Sequence, residues 1–331
     1  MDRETFCRQS KVLVVAGKGG VGKTTVAAAL ARMAADVGLD VLVVALDSGG
    51  ALPALLGAGS GLSYEEQTLY AAPEEGDRGR GSIRARVITP DDALLEYLMD
   101  HGLRRVAKRL VSTGVLDVVA TAIPGIREIL VLGKVKQIER AGAADLVVLD
   151  APATGHAVRF LTSASGLMDA ARGGPLRSQA SDVVEMLHDP KRCQVMLVTL
   201  PEETPVNELI ETAYRFEDEV GVLLTPVVVN ACYDPIDGIG AEVGEVARKA
   251  GVELGADELA ALSGAAAFRR GRQLLQHEQL QRLVEGLPLP ELKLPYVFKA
   301  EIGPEDVGPL AEALGRAIDE LPETTRQREA G

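Results

Sequence analysis

Five short runs along the chain are apolar at nearly every position: residues 11–16 (KVLVVA), 41–46 (VLVVAL), 145–149 (DLVVL), 194–199 (QVMLVT) and 226–230 (PVVVN). Unbroken Val/Leu runs, rather than alternating ones, predict strands covered by helices on both faces. Between them the spacing changes to that of helices. Val26, Leu30, Met33 and Val37 step by four, three and four residues, and Gly38 ends the pattern. Val307, Leu310, Leu314, Ile318 and Leu321 repeat it near the end, with Pro322 beyond. Strands joined by helical crossovers predict an α/β fold, a doubly wound and mostly parallel sheet.

Two stretches depart from this alternation. Residues 66–88 read as a polar hairpin with a Gly/Arg/Glu-rich tip at 74–81. Residues 89–141 hold helical segments and no convincing strand, opened by Thr89, Pro90, Asp91 and Asp92, which supply a cap, a first-turn proline and acids at the positive helix end. With 161–189 they are expected to form a helical subdomain. The sheet domain is then assembled from 1–88, 142–160 and 190–331.

The first strand runs straight into Gly17, Lys18, Gly19, Gly20, Val21, Gly22, Lys23, Thr24 and Thr25, which open a helix. This fits G-x-x-x-x-G-K-[ST] in its strand–loop–helix setting. Glycines let backbone N–H groups converge on phosphate oxygens at a helix N-terminus, where the dipole favours negative charge. Lys23 would reach the β- and γ-phosphates and the Thr24 hydroxyl would hold Mg²⁺, so ATP and Mg²⁺ are the expected ligands. Asp150, closing the third strong strand, is a second candidate for the metal. Gly155 after it would offer its N–H to the γ-phosphate.

The second lysine, Lys18, and the GKGGVGKTT form resemble the deviant phosphate loops of the MinD/ParA/NifH/ArsA ATPases. In that class this lysine crosses a dimer interface to the partner's nucleotide. Residues 150–161 (DAPATGHAVRFL) are similar to the DTAPTGHxLRFL switch of ArsA-type ATPases, which include arsenite-pump ATPases and the ATPase that targets tail-anchored membrane proteins. The likeness continues through Pro201-Glu202, Glu211-Thr212, Asn230 and residues 287–297 (LPLPELKLPYV), and so spans nearly the whole chain. It implies a nucleotide-driven dimeric switch. It also implies an adenine contact from Asn230, a base pocket involving Pro295, and catalytic roles for Lys18, Lys23 and Asp47. His156 lies inside the switch motif, where a structural role is expected rather than proton transfer.

The departures are informative. The family usually reads DPAHxLSDAFG after the second strand, its second aspartate positioning the attacking water. Residues 47–57 here read DSGGALPALLG. Asp47 is kept, but Ala54 falls where that second acid belongs, and alanine cannot orient water. Intrinsic hydrolysis is therefore expected to be weak, or partner-dependent. The pattern resembles a bacterial subgroup of paired, divergent paralogues, so the partner is expected to be a second copy or a paralogous ATPase. A hydrolysis-impaired regulatory subunit of such a heterodimer is the alternative.

Composition narrows the picture further. Three cysteines (Cys7, Cys193, Cys232) stand far apart with no C-x-x-C pair, and none falls within 89–189. The arsenite-binding, zinc-clamped and iron–sulfur branches of the class are thus disfavoured. A net charge of −13 among 331 residues disfavours nucleic acid as a partner. The polar start MDRETFCRQS and the lack of a membrane-length apolar run predict a cytoplasmic protein, not an integral membrane one. Leu94, Leu95, Leu98, Met99, Leu103 and Val106, with Ile123, Ile126, Ile129, Leu130 and Leu132, are expected mainly to pack the helical region. A groove for an apolar helical client is the secondary expectation.

Overall fold

The computed structural model describes residues 1–46, 50–59, 61–73, 81–100, 102, 125–170 and 173–322. Its centre is a nine-stranded sheet. In chain order the strands are β1 (Val12–Gly17), β2 (Asp40–Ala45), β3 (Gln67–Ala71), β4 (Ser82–Val87), β5 (Leu146–Ala153), β6 (Cys193–Thr199), β7 (Leu223–Leu224), β8 (Val227–Cys232) and β9 (Glu291–Pro295). Their spatial order is β3-β4-β2-β5-β1-β6-β8-β9, with the short β7 beside β6. All pairings are parallel except β3 with β4.

Alternate side chains of each strand enter opposite cores. Val12, Val14, Leu42, Val44, Val147, Leu149, Val195 and Leu197 face one layer; Leu13, Val15, Val41, Val43, Val148, Met196 and Val198 face the other. Both faces are covered, which explains why the strands read as continuous apolar runs. The second face is closed by α1 (Arg3–Cys7), α2 (Lys23–Asp36), α3 (Leu52–Leu55) and a late helix, Pro304–Asp319. In α2 Val26, Leu30 and Met33 are buried, Val37 just beyond it is partly buried, and Gly38 has φ +93°, the left-handed stop its position suggests.

The first face is covered by α4 (Pro90–Asp100), α5 (Ile126–Ala141), α6 (Thr154–Ala170), α7 (Pro175–His188) and α8 (Glu203–Arg215). Thr89 caps α4 as expected, its hydroxyl accepting from the Asp92 N–H at 3.1 Å. Ile126, Ile129, Leu130 and Leu132 are buried in the core shared with the sheet, so they are occupied by the fold. Met99 is exposed, while Leu103, Val106 and Ile123 lie outside the described residues. Beyond β8 come α9 (Val243–Lys249) and α10 (Ala256–Gly286). Pro304–Asp319, α11, then lies back along α2.

The 66–88 hairpin is present as β3 and β4, but β4 is also a full parallel neighbour of β2. Its sequence SIRARV conceals this. Arg86 is buried because its guanidinium lies over the Tyr64 ring, 4.3 Å from the centroid, and pairs with Glu66.

Candidate functional site

The loop 17–25 joins β1 to α2 at the carboxyl end of the sheet's central strand, the crevice where open α/β sheets bind ligands. Sterics dictate its glycines. A Cβ on Gly17 would stand 2.3 Å from the Val198 carbonyl oxygen on β6. Gly20 and Gly22 have φ of +86° and +89°, a region L side chains rarely adopt. Gly22 is also the N-cap of α2, and a Cβ there would lie 2.3 Å from Asn230 Nδ2. Gly19 and Gly20 are exposed, whereas Val21 is buried and anchors the loop.

Lys23, Thr24 and Thr25 form the first turn of α2, each half-buried. The Lys23 ammonium donates to the Lys18 carbonyl at 3.1 Å, and burial pushes its pKa down, partly offset by the Asp150 charge. The Thr24 hydroxyl donates to Asp150 Oδ2 at 2.8 Å. The other carboxylate oxygen, Asp150 Oδ1, is buried with no hydrogen-bond partner among the described residues, and burial raises the Asp150 pKa against the Thr24 bond and the Lys23 charge. An orphaned carboxylate oxygen beside a threonine hydroxyl at a helix N-terminus is a donor set suited to Mg²⁺.

Asn230, on β8, donates from Nδ2 to the Val21 carbonyl at 2.9 Å, so it is tied to the loop. Gly155 and His156 are exposed in the first turn of α6. Among the described residues, nothing beyond its chain neighbours and its own helix backbone lies within 4 Å of where a Gly155 Cβ would sit. Pro295 ends β9 opposite Cys232, and both line a cleft with Asp234, Lys293 and Arg316. Asp47 lies outside the described residues, and Ala54 is exposed on α3. Lys18 points away from its own loop to Glu208 on α8, Nζ to Oε1 2.5 Å.

Some contributors carry no motif signal. Ala231, next to Asn230, has φ +59°, and Gln276 on α10 brackets it. Gln276 Oε1 accepts from the Tyr233 N–H at 2.8 Å and its Nε2 donates to the Ala231 carbonyl at 3.0 Å. Glu202 of the Pro-Glu pair bonds Arg272 at 3.1 Å, joining the start of α8 to α10. The Thr212 hydroxyl donates to the Glu208 carbonyl at 2.6 Å. Beside them, Tyr233, Tyr296 and Phe298 form a ring cluster with Arg269 over Tyr233 at 4.0 Å. Glu202, Thr212 and the Tyr296 segment belong to the family motifs; Gln276 and Glu208 sit in ordinary helical sequence.

The cysteines are free, and burial raises the thiol pKa of Cys7, Cys193 and Cys232 to about 12 in each case. Among the described residues no helix is long and apolar enough to cross a membrane.

Residues 12–230 match the family model described as the CobQ/CobB/MinD/ParA nucleotide binding domain. The ATPase BagA of Mycobacterium tuberculosis is 32% identical over 302 residues, covering 86% of each chain. An arsenical pump-driving ATPase of Escherichia coli is 29% identical over 198 residues, 60% of this chain and 30% of that protein. The ATPase get3 of Schizosaccharomyces japonicus is 30% identical over 182 residues, 53% of this chain and 52% of that one.

Proposed function

The chain belongs to the CobQ/CobB/MinD/ParA nucleotide-binding family and is an ArsA-type ATPase, and from that premise we propose that it acts as an ATP-driven dimeric switch with slow intrinsic hydrolysis. The observation that carries this reading is the division of labour between the loop lysines. Lys23 lies inward with Thr24 and Asp150, whereas Lys18 leaves the loop it belongs to.

Binding would draw Lys23 from the Lys18 carbonyl onto phosphate oxygens, while the glycine N–H groups cradle the phosphates at the head of α2. Thr24 and Asp150 would hold Mg²⁺, which when bound neutralises charge between the β- and γ-phosphates. Gly155, at the start of α6 directly after β5, would sense the γ-phosphate, so that its loss relaxes the switch. Lys18 would complete the site of a second subunit. Asn230 and Pro295 would face the base.

Slow hydrolysis rests on Ala54, whose exposed methyl has no group to orient water. The same residue favours a second reading, a regulatory subunit paired with a hydrolytically competent paralogue. Calorimetric ATP titration with steady-state turnover of the isolated chain tests both. Tight binding with turnover well below about 1 s⁻¹ is expected, against typical enzyme values of roughly 1–10³ s⁻¹. Brisk turnover by the isolated chain would overturn slow hydrolysis, and stimulation by an added paralogue would select the second reading.

A further inference from the structure

We infer that Glu208 is the positioning residue for Lys18, holding the loop lysine within its own chain until nucleotide-driven assembly exchanges the carboxylate for phosphate. This rests on the dimeric-switch reading above.

The two charged groups come from opposite layers. Lys18 belongs to the loop that opens α2, on one face of the sheet, and Glu208 to α8, on the other. The contact therefore passes over the carboxyl end of the sheet beside the site. Helix α8 is firmly seated, because Val206, Leu209 and Ala213 are buried against the sheet. The Thr212 hydroxyl bonds the Glu208 carbonyl. Glu208 thus offers its carboxylate from a fixed backbone while Lys18 sits on a glycine-rich loop. In this pair the lysine is the part that can move.

The contact is coupled to the phosphate site. Lys23 Nζ bonds the Lys18 carbonyl, and Lys18 Nζ bonds Glu208, so one chain of contacts runs from the phosphate-binding lysine to α8. When phosphate takes Lys23, the Lys18 carbonyl loses its partner and the backbone that aims Lys18 loosens. Both side chains of the pair stay about one third or more exposed, at 33% and 42%, so solvent screens the attraction. A weak restraint of this kind sets a threshold for assembly without blocking it.

The test measures the MgATP concentration giving half-maximal dimerisation of the full chain by light scattering, for wild type, Glu208→Gln, Lys18→Ala and the double variant. Removing the restraint should lower that concentration about 2- to 5-fold, the range expected for an exposed pair. The thermal midpoint of Glu208→Gln should stay at the wild-type value, which separates the effect from a structural one. In the Lys18→Ala background the Glu208 substitution should shift nothing. If Lys18→Ala impairs assembly but Glu208→Gln leaves the threshold in place, the Glu208 inference is overturned and the switch survives. A Glu208→Gln shift that persists without Lys18 overturns it as well. If Lys18→Ala assembles like wild type, the cross-interface role of Lys18 fails and this inference with it; if the wild-type chain does not assemble with MgATP, the dimeric-switch reading itself fails.

Discussion

The Thr24 hydroxyl donates to Asp150 Oδ2 at 2.8 Å, joining the first turn of α2 to β5, while Asp150 Oδ1 is buried without a partner among the described residues. A carboxylate kept in this state destabilises the ligand-free chain. Asp150→Asn retains an oxygen for Thr24 and removes the buried charge. Without nucleotide it should gain up to about 1 kcal/mol, roughly 1–3 °C in thermal midpoint, and lose Mg-dependent ATP hydrolysis. The pH dependence has a definite sign. Burial raises the folded pKa of Asp150 above its unfolded value, so wild type regains stability relative to Asp150→Asn as pH falls through that raised pKa. Melting curves of both proteins between neutral and acidic pH check this; a gap that widens on acidification would contradict it.

Gly22 has φ +89° and no room for a Cβ beside Asn230. Gly22→Ala should lower ATP affinity at least about tenfold, because the helix cap and the Asn230 contact are disturbed together. Shortening the neighbour makes space, so Gly22→Ala with Asn230→Ala should recover part of the lost thermal stability. No recovery would mean that backbone strain alone sets the cost.

Gln276 holds the backbone of Ala231 and Tyr233 from α10. Gln276→Ala should cost about 1 kcal/mol by leaving part-buried backbone groups unpaired, and should weaken ATP binding by displacing Asn230. Ala231→Gly, by contrast, relieves a left-handed residue at φ +59° and should stabilise by up to about 1 kcal/mol. Denaturant midpoints of the two variants should therefore move in opposite directions.

Glu139 takes two hydrogen bonds from Arg192, at 3.1 and 2.7 Å, and both side chains are largely buried. The pair ties α5 to the residue before β6, at the sheet end opposite the loop. Glu139→Gln leaves the guanidinium with the weaker, solvent-exposed Glu185 contact at 3.8 Å and should cost roughly 2 kcal/mol. ATP affinity, measured at a temperature where the variant is folded, should not change.

The strands with continuous Val/Leu runs were legible in sequence because a strand buried on both faces admits little else. The phosphate loop was legible for a related reason: its glycines have steric duties at Gly17 and Gly22 that other residues cannot perform. β4 was harder to read as part of the main sheet, since Arg84 and Arg86 make it look solvent-facing when Arg86 in fact packs on Tyr64. β9 shows in the sequence only as part of a family motif, because it is short and carries the exposed Lys293. Glu208 and Gln276 left no trace in the pattern. Each lies about 45 residues or more from its partner, at separations of 190 for Lys18 and 45 for Ala231, and only the folded sheet brings them together.

Light scattering of the purified chain with MgATP, with MgADP and without nucleotide tests the central claim most directly. The account predicts a shift from the single-chain mass of 34.9 kDa to about twice that value with MgATP alone, needing a higher MgATP concentration in Lys18→Ala. A single-chain mass under all three conditions, with ATP shown to be bound, would contradict it.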